Sequence, residues 1–381
     1  MLTLKQGDFK NKTTLVRCDF NVGIDDKGAI AEDFRIRQAM PAIRYLQEQQ
    51  AVIVLMSHLE KGENLLSLKI VGERLEKLLG VPVKFINDCV GSSVAGQIKR
   101  LKPGQVALLE NLRFHKEEKA NDDNFAKSLA SLGQIYVNEA FSCSHRAHAS
   151  IVGVPKYLPH YAGLLLEAEV ANLSKILKNP QHPFVVIIGG SKVSTKARTV
   201  VNIARIADHI LFGSKIGEMI LAQKQILMGR PPQEKDAAIE QIDLTSPKIH
   251  LPVDGIMALA DLSEGYSRKA AIGSMRGEEE IYDIGPETVK FFKEIIKDAK
   301  TIFFNGPLGM FENKEFIIGT REVLDAVSKN HGAYKVAGGG ETLEVINELG
   351  MQNNFDFLST GGGAMLEFLA GVELPGIAAL G

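Results

Sequence analysis

Cysteine is scarce and badly placed for cross-linking. Cys18, Cys89 and Cys143 are odd in number, far apart and free of any Cys-x-x-Cys pair, which argues against a disulfide framework or a cysteine zinc site and reads as buried thiols in a reducing compartment. An excess of positive charge is missing too. Lys and Arg number 44 against 46 Asp and Glu, a net charge of -2, so neither general nucleic-acid binding nor attachment to an anionic membrane is expected. The start, Met1-Leu-Thr-Leu-Lys-Gln-Gly-Asp8, has no apolar core for a signal peptide, and no later run approaches a membrane span in length. The expectation is a cytoplasmic protein. Two phosphate-binding fingerprints are also absent: there is no Gly-Lys dipeptide for a P-loop, and no Gly-x-Gly-x-x-Gly follows the first strand.

What is present is an ordinary globular composition, 45% apolar and 24% charged over 381 residues, too long for one core and suggesting two domains. The organising stretch is Phe184-Val-Val-Ile-Ile188, then Gly189-Gly190, then Ser191-Lys-Val-Ser-Thr-Lys196. It predicts a buried strand, a tight exit and a helix capped by Ser191 or Ser194. A helix N-terminus flanked by Lys192 and Lys196 suits phosphate.

Before it, strands are predicted at Thr13–Arg17, Val52–His58, Val83–Ile86, Val106–Arg113 and Gln134–Asn138, with helices from Arg35 to Leu46, Leu68 to Leu79 and Asn124 to Leu132. A long amphipathic helix from Gly163 to Leu177 is stopped by Asn179-Pro180 and connects the domains. After it, strands are predicted at Ile210–Gly213, Lys248–Asp254, Thr301–Asn305, Lys335–Gly338 and Phe355–Thr360. The fold class is therefore α/β: two doubly wound, Rossmann-like parallel-sheet domains joined by a long connector helix. The expected division is 1–162, the helix 163–179, 180–362, and a closing segment 363–381.

The two halves differ at their strand exits, where open α/β sheets place ligands. The first half ends in Arg, His and Asn, which suit a small, strongly anionic molecule. The second ends in Gly306-Pro-Leu-Gly309, Gly338-Gly-Gly340 and Gly361-Gly-Gly363, where backbone without Cβ can approach nucleotide phosphates. His145 and His148 have metal-ligand spacing, but with Arg146 between them a loop around an anion is the better reading. Glu278-Glu-Glu280 reads as a solvated turn, Glu167 and Glu169 as facing water, and Arg37 and Arg44 as helix-surface residues.

With Val16-Arg-Cys-Asp-Phe-Asn-Val22, Ser57-His-Leu59, Glu110-Asn-Leu-Arg-Phe114, His145-Arg-Ala-His-Ala-Ser150, Gly189-Gly-Ser-Lys-Val193, Asp283-Ile-Gly-Pro286, Asn305-Gly-Pro-Leu-Gly-Met-Phe-Glu312, Gly338-Gly-Gly340 and Ser359-Thr-Gly-Gly-Gly-Ala364 in this order, the chain resembles phosphoglycerate kinase over essentially its whole length. The resemblance implies reversible transfer of the ATP γ-phosphoryl to the carboxylate of 3-phosphoglycerate, with Mg²⁺, in glycolysis. It implies a monomer with ATP/ADP as co-substrate, hinge-bending closure, and a closing segment, 363–381, that returns to the N-terminal domain. By the same match the acid is held by Asp19, Asn21, Arg35, His58, Arg113 and Arg146. The nucleotide falls to Gly190, Lys192, Lys196, Gly213, Asn305, Pro307, Glu312 at the ribose, Gly338, Gly339, Gly340, Glu341 and Thr342, with Glu341 as metal ligand. Arg35, Lys192, Gly340 and Gly363 carry the transfer itself. That chemistry needs no general base, and neither a Ser-His-Asp set nor a paired-carboxylate set is found.

Departures from the family pattern are Glu60-Lys61-Gly62 where Gly-Arg-Pro is usual, with Lys61 as a possible point charge for the lost guanidinium, and Thr195 for Asp. Gly213-Ser214-Lys215-Ile216 replaces a glycine run, Glu341 stands for Asp, and Met365 for a small hydroxyl residue. They leave an alternative open: a catalytically impaired relative that binds nucleotide or phosphoglycerate. A dinucleotide dehydrogenase is disfavoured by the missing fingerprint.

Overall fold

The structure is a computed structural model that describes residues 1–190, 193–224 and 237–381, without the side chains at 193–195, 214, 238 and 264. The chain divides into two compact units, residues 1–171 with 373–381, and residues 172–372.

The first unit is built on strands β1 (Thr13–Arg17), β2 (Val52–Met56), β5 (Val83–Ile86), β6 (Val106–Leu109), β7 (Ile135–Asn138) and β8 (His160–Ala162), with a small antiparallel hairpin, β3 (Glu60–Lys61) and β4 (Asn64–Leu65). The six-stranded sheet runs β5-β6-β2-β1-β7-β8 and every pairing is parallel. Parallel strands covered on both faces need apolar side chains throughout, and β2 and β6 are buried at every residue. One core cluster joins Val16, Ile53, Leu55 and Leu108 to Ile36, Ile43 and Leu46 of the helix Phe34–Glu48, and to Val71 and Leu75 of the helix Lys69–Leu79. β8 carries no apolar run and exists because β7 offers it an open edge.

The second unit holds β9 (Phe184–Ile188), β10 (His209–Phe212), β11 (Ile249–His250), β15 (Thr301–Asn305), β16 (Tyr334–Gly338) and β17 (Phe357–Ser359). They form a sheet in the order β11-β10-β9-β15-β16-β17, again wholly parallel. Counted by their place in the chain, the six strands run 3-2-1-4-5-6, the doubly wound dinucleotide-fold order, and its direction reverses between β9 and β15. Val185 and Ile187 of β9 pack with Ile302 and Phe304 of β15 against Phe292 and Ile296 of the helix Pro286–Asp298.

Four expectations change in the folded chain. The stretch Lys248–Asp254 is not one strand: Pro252 lacks an N–H to donate, and β11 stops before it. The chain then enters a three-stranded antiparallel sheet, β13-β12-β14, made of β12 (Asp254–Leu259), β13 (Ser267–Ala271) and β14 (Glu279–Ile284). Of Glu278–Glu280, only Glu278 is an exposed turn residue, and the other two begin β14. Glu279 is buried at the start of β14, where Arg268 of β13 holds its carboxylate from Nε and Nη2, each at 2.7 Å. Glu169 is fully buried and does not face water. Val106–Arg113 likewise stops being strand at Leu109, and Arg113 sits in a short 3-10 turn over Leu112–Phe114.

The helix Leu164–Lys178 contains the boundary between the units. At its start the Glu139 carboxylate accepts the N–H of Leu165 at 2.9 Å.

Candidate active site

In the first unit the polar residues at the ends of β1, β2 and β6 converge. Directly after β1, Asp19 accepts from Arg35 Nη1 at 2.7 Å, from the Asn21 N–H at 3.0 Å and from Ser142 Oγ. Arg35 belongs to the first turn of its helix, also donates to the Asn21 carbonyl at 3.1 Å, and keeps 31% of its side chain exposed. It is thus anchored at one end and open at the other. His58, two residues beyond β2, is buried with its Nδ1 3.3 Å from Arg17 Nη2. Because a guanidinium can only donate, Nδ1 must be the acceptor and the proton lies on Nε2.

Past β6, Asn111 Oδ1 accepts the Arg113 N–H at 2.9 Å while its amide donates to the Leu59 and Leu66 carbonyls. This fixes the turn that carries Arg113. The Arg113 side chain is only 3% exposed, is paired through Nη1 with Glu60, and has an Nε without a hydrogen-bond partner. Arg146 is exposed and donates to His145 Nε2 at 3.2 Å. Its charge acts on both His58 and Glu60, as does that of Arg113. The three arginines therefore share one neighbourhood, together with Asp19 and His58.

Electrostatics follow from that clustering. Burial works against a charged Asp19, yet Arg35, His58 and the Ser142 hydroxyl hold its carboxyl well below the usual range. Burial, then Arg17, push His58 well below its ordinary value, so it is neutral at pH 7. Burial, with Arg113 and Arg17 behind it, takes His148 down to about 4. Asp19, His58 and Cys143 also bring donor atoms within 4.8 Å of one another. With Arg17 and Arg35 both acting on this group, it suits an anion and not a cation.

In the second unit the exits of β9, β10 and β15 meet as bare backbone. Gly189 donates to the Asn305 carbonyl at 2.9 Å and Gly190 to the Pro307 carbonyl at 2.7 Å. A Cβ on Gly189 would stand 2.0 Å from that Pro307 oxygen, and one on Gly213 would stand 2.9 Å from Leu308 Cα. Gly190, with φ of +81°, lies between Lys196 and Glu341: a Cβ there would meet Nζ at 2.5 Å and Oε2 at 3.0 Å. Lys196 is buried and donates to the Gly189 carbonyl.

Asn305 donates to the Gly338 carbonyl at 2.6 Å, leaving its Oδ1 without a partner, and Thr342 Oγ1 accepts the Gly306 N–H at 2.7 Å. Gly340 opens the helix Gly340–Glu348 and Gly363 the helix Gly363–Leu369. A cavity of about 240 Å³ is lined by Gly190, Pro307, Phe311, Glu312, Glu341 and Lys215. Ser191 and Lys192 lie outside the described residues, as do the side chains of Thr195 and Ser214.

The departures take definite positions. Lys61 is engaged with Asp26 at 3.1 Å and with the Asp25 carbonyl at 3.2 Å. Lys215 pairs with Glu280 at 3.0 Å and lies 3.6 Å from Glu218. Met365 is fully buried, its sulfur 2.4 Å from where a Cβ on Gly338 would stand. Glu341 is exposed in its helix's first turn. Sequence reasoning missed Ser142 and the placing of Glu60 on Arg113; Arg17 was marked by its place at the end of the first strand, though not its contact with His58. Glu60 carried a signal as an acid directly after Ser-His-Leu in a basic site, and Ser142 carried none.

Two doubly wound units, one with guanidinium groups at its strand exits and the other with glycine backbone, define an α/β protein of two domains with anion-receptive strand ends in each. The phosphoglycerate kinase family model matches residues 4–372. The chain is 41% identical to a phosphoglycerate kinase of Dictyoglomus turgidum, covering 100% of this chain and 98% of that one. It is 42% identical to that of Aquifex aeolicus, with 98% and 96% covered. The solved phosphoglycerate kinase of Pyrococcus horikoshii OT3 superposes with a TM-score of 0.87 at 32% identity, and that of Coxiella burnetii with 0.85 at 37%; each covers 100% of this chain and 98% of its own. The chain belongs to the phosphoglycerate kinase family.

Proposed function

We propose that this chain transfers the γ-phosphoryl of ATP reversibly to the carboxylate of 3-phosphoglycerate, giving 1,3-bisphosphoglycerate and ADP in glycolysis. The observation that carries the reading is the grouping of Arg35, Arg113, Arg146, Asp19 and neutral His58 at the strand exits of one unit, in a member of this family. The acid half is assigned to residues 1–162 and the nucleotide half to residues 180–362, each within one compact unit.

In the forward step a carboxylate oxygen attacks the γ-phosphorus, the bond to the β,γ-bridging oxygen breaks, and ADP leaves with that electron pair. The attacking carboxylate is ionised at pH 7 and no proton moves, so positioning and charge neutralisation supply the catalysis. Arg35, anchored by Asp19, balances the attacking group. Asn21, His58 through Nε2–H, Arg113 and Arg146 hold the remainder of the acid. Lys192 and the N–H groups at Gly340 and Gly363 are assigned to the moving phosphoryl. Gly190, Lys196, Gly213, Asn305, Pro307, Gly338, Gly339 and Thr342 are assigned to the nucleotide, with Glu312 on the ribose.

Glu341 would hold Mg²⁺: it lines the same cavity as Glu312 and Glu280, and hard carboxylate oxygens are what this ion takes. When bound, it neutralises phosphate charge. Transfer further requires hinge closure on both ligands and exclusion of water. Three buried free thiols suit a reducing cytoplasm, and we take the protein to act there as a monomer without nucleic-acid or membrane partners. No helix among the described residues is long and apolar enough to cross a membrane.

The test is a coupled assay with 3-phosphoglycerate, MgATP and an NADH-linked dehydrogenase that consumes the acyl phosphate. Turnover dependent on both substrates is expected. Nucleotide binding without turnover would overturn the reading.

A further inference from the structure

We propose that Glu60 is a built-in competitor for the acid substrate, a specificity residue that occupies Arg113 until an incoming carboxylate or phosphate displaces it. This rests on reading the arginine cluster as the acid site. Arg113 is the most enclosed of the three arginines, and its Nη1 is taken up by the Glu60 carboxylate. Glu60 is not a chance surface partner: its N–H donates to Asn21 Oδ1 at 2.9 Å, and β3 and β4 hold its backbone in a hairpin. Burial opposes its charge, but the Arg113 hydrogen bond and the charges of Arg113, Lys119 and Arg146 keep it ionised. The carboxylate therefore stands where a ligand oxygen must stand to use Arg113 Nη1. Lys61 next door adds no free positive charge, being engaged with Asp26 and the Asp25 carbonyl.

Two consequences follow. Apparent affinity falls to its intrinsic value multiplied by the fraction of time Arg113 is unoccupied, and after displacement Glu60 remains as a like charge beside the substrate. Its side chain is 25% exposed, so water and salt screen the pair and the effect is moderate.

The experiment compares Glu60→Gln and Glu60→Ala with the full-length parent, reading KM for 3-phosphoglycerate and for ATP, and binding of 3-phosphoglycerate by calorimetry. Both variants keep the backbone N–H to Asn21. We expect KM and Kd for the acid to fall by about three- to tenfold, with KM for ATP unmoved. Unchanged or weaker acid binding in both variants would overturn the proposal and make Glu60 a mere support for Arg113. A parent chain without turnover would overturn the phosphotransfer reading alone, since calorimetry would still decide the role of Glu60.

Discussion

Arg35 does two things with one side chain. It neutralises Asp19 and leaves donors free toward solvent. Replacing Arg35 by Ala should lower kcat/KM for 3-phosphoglycerate by about 10²–10³-fold, the scale for losing one oriented charge donor, with a native near-UV CD spectrum. Unchanged turnover would remove Arg35 from the mechanism.

His58 gives a prediction in pH. Its folded-state pKa lies well below the ordinary 6.5, through burial first and Arg17 second. Above pH 6.5 both folded and unfolded chains carry it neutral and nothing changes. As pH falls below 6.5 the unfolded chain takes up a proton that the folded chain refuses, so stability drops, by up to about 1.4 kcal/mol per pH unit. The His58→Gln variant keeps an acceptor for Arg17 and has no such titration. Urea midpoints at pH 7 and pH 5 should show a smaller acid loss in the variant; equal losses would mean that His58 is not held neutral.

At the scale of elements, the junction of β14 with the helix Ile318–Lys329 carries a titration of opposite sign. Asp283 is fully buried and accepts the Gly319 N–H at 2.7 Å and the Ile284 N–H at 2.9 Å. Burial outweighs both bonds and pushes its carboxyl up to about 7. Between 3.8 and about 7 the folded chain holds a proton that the unfolded chain has released, so this contribution is complete at low pH and is lost as pH rises through 7. Asp283→Asn should flatten that decline in the second unit, read as the hydrogen-exchange protection of β12 and β14 at pH 6 and pH 8. A decline of the same slope in the variant would assign it to other groups.

The glycine exits show why elements and not single residues make the second site. Gly189, Gly213 and Gly306 let three strand ends pack backbone to backbone, since a Cβ at any of them would fall within 3.0 Å of main-chain atoms. Such contacts join residues far apart in sequence, and the glycine doublets and triplets mark them only as places where a side chain is unwelcome.

At the scale of the molecule, each unit has its own sheet and its own core cluster. A ligand held by one unit should stabilise that unit first. With 3-phosphoglycerate at 100 times its Kd, protection in residues 1–171 should rise by up to about 2.7 kcal/mol, and MgADP should act in the same way on residues 172–372. Protection gained equally in both units from either ligand alone would contradict this separation.

The sequence by itself determined the two parallel sheets, because β-branched apolar runs between amphipathic helices can bury both faces in few other ways. It also determined the contrast between arginine-bearing and glycine-bearing strand exits, and through ordered motifs it pointed to the family. The tertiary structure alone decided the antiparallel sheet β12 to β14, whose half-buried strands carry charge and have no strong periodicity, and the burial of Glu279, which Arg268 makes possible. It also decided that Glu60 lies on Arg113 and that Lys61 is bound to Asp26. The physical reason is shared: a run of like residues specifies its own burial locally, whereas the partner of a charge is chosen by long-range packing, which sequence spacing does not encode.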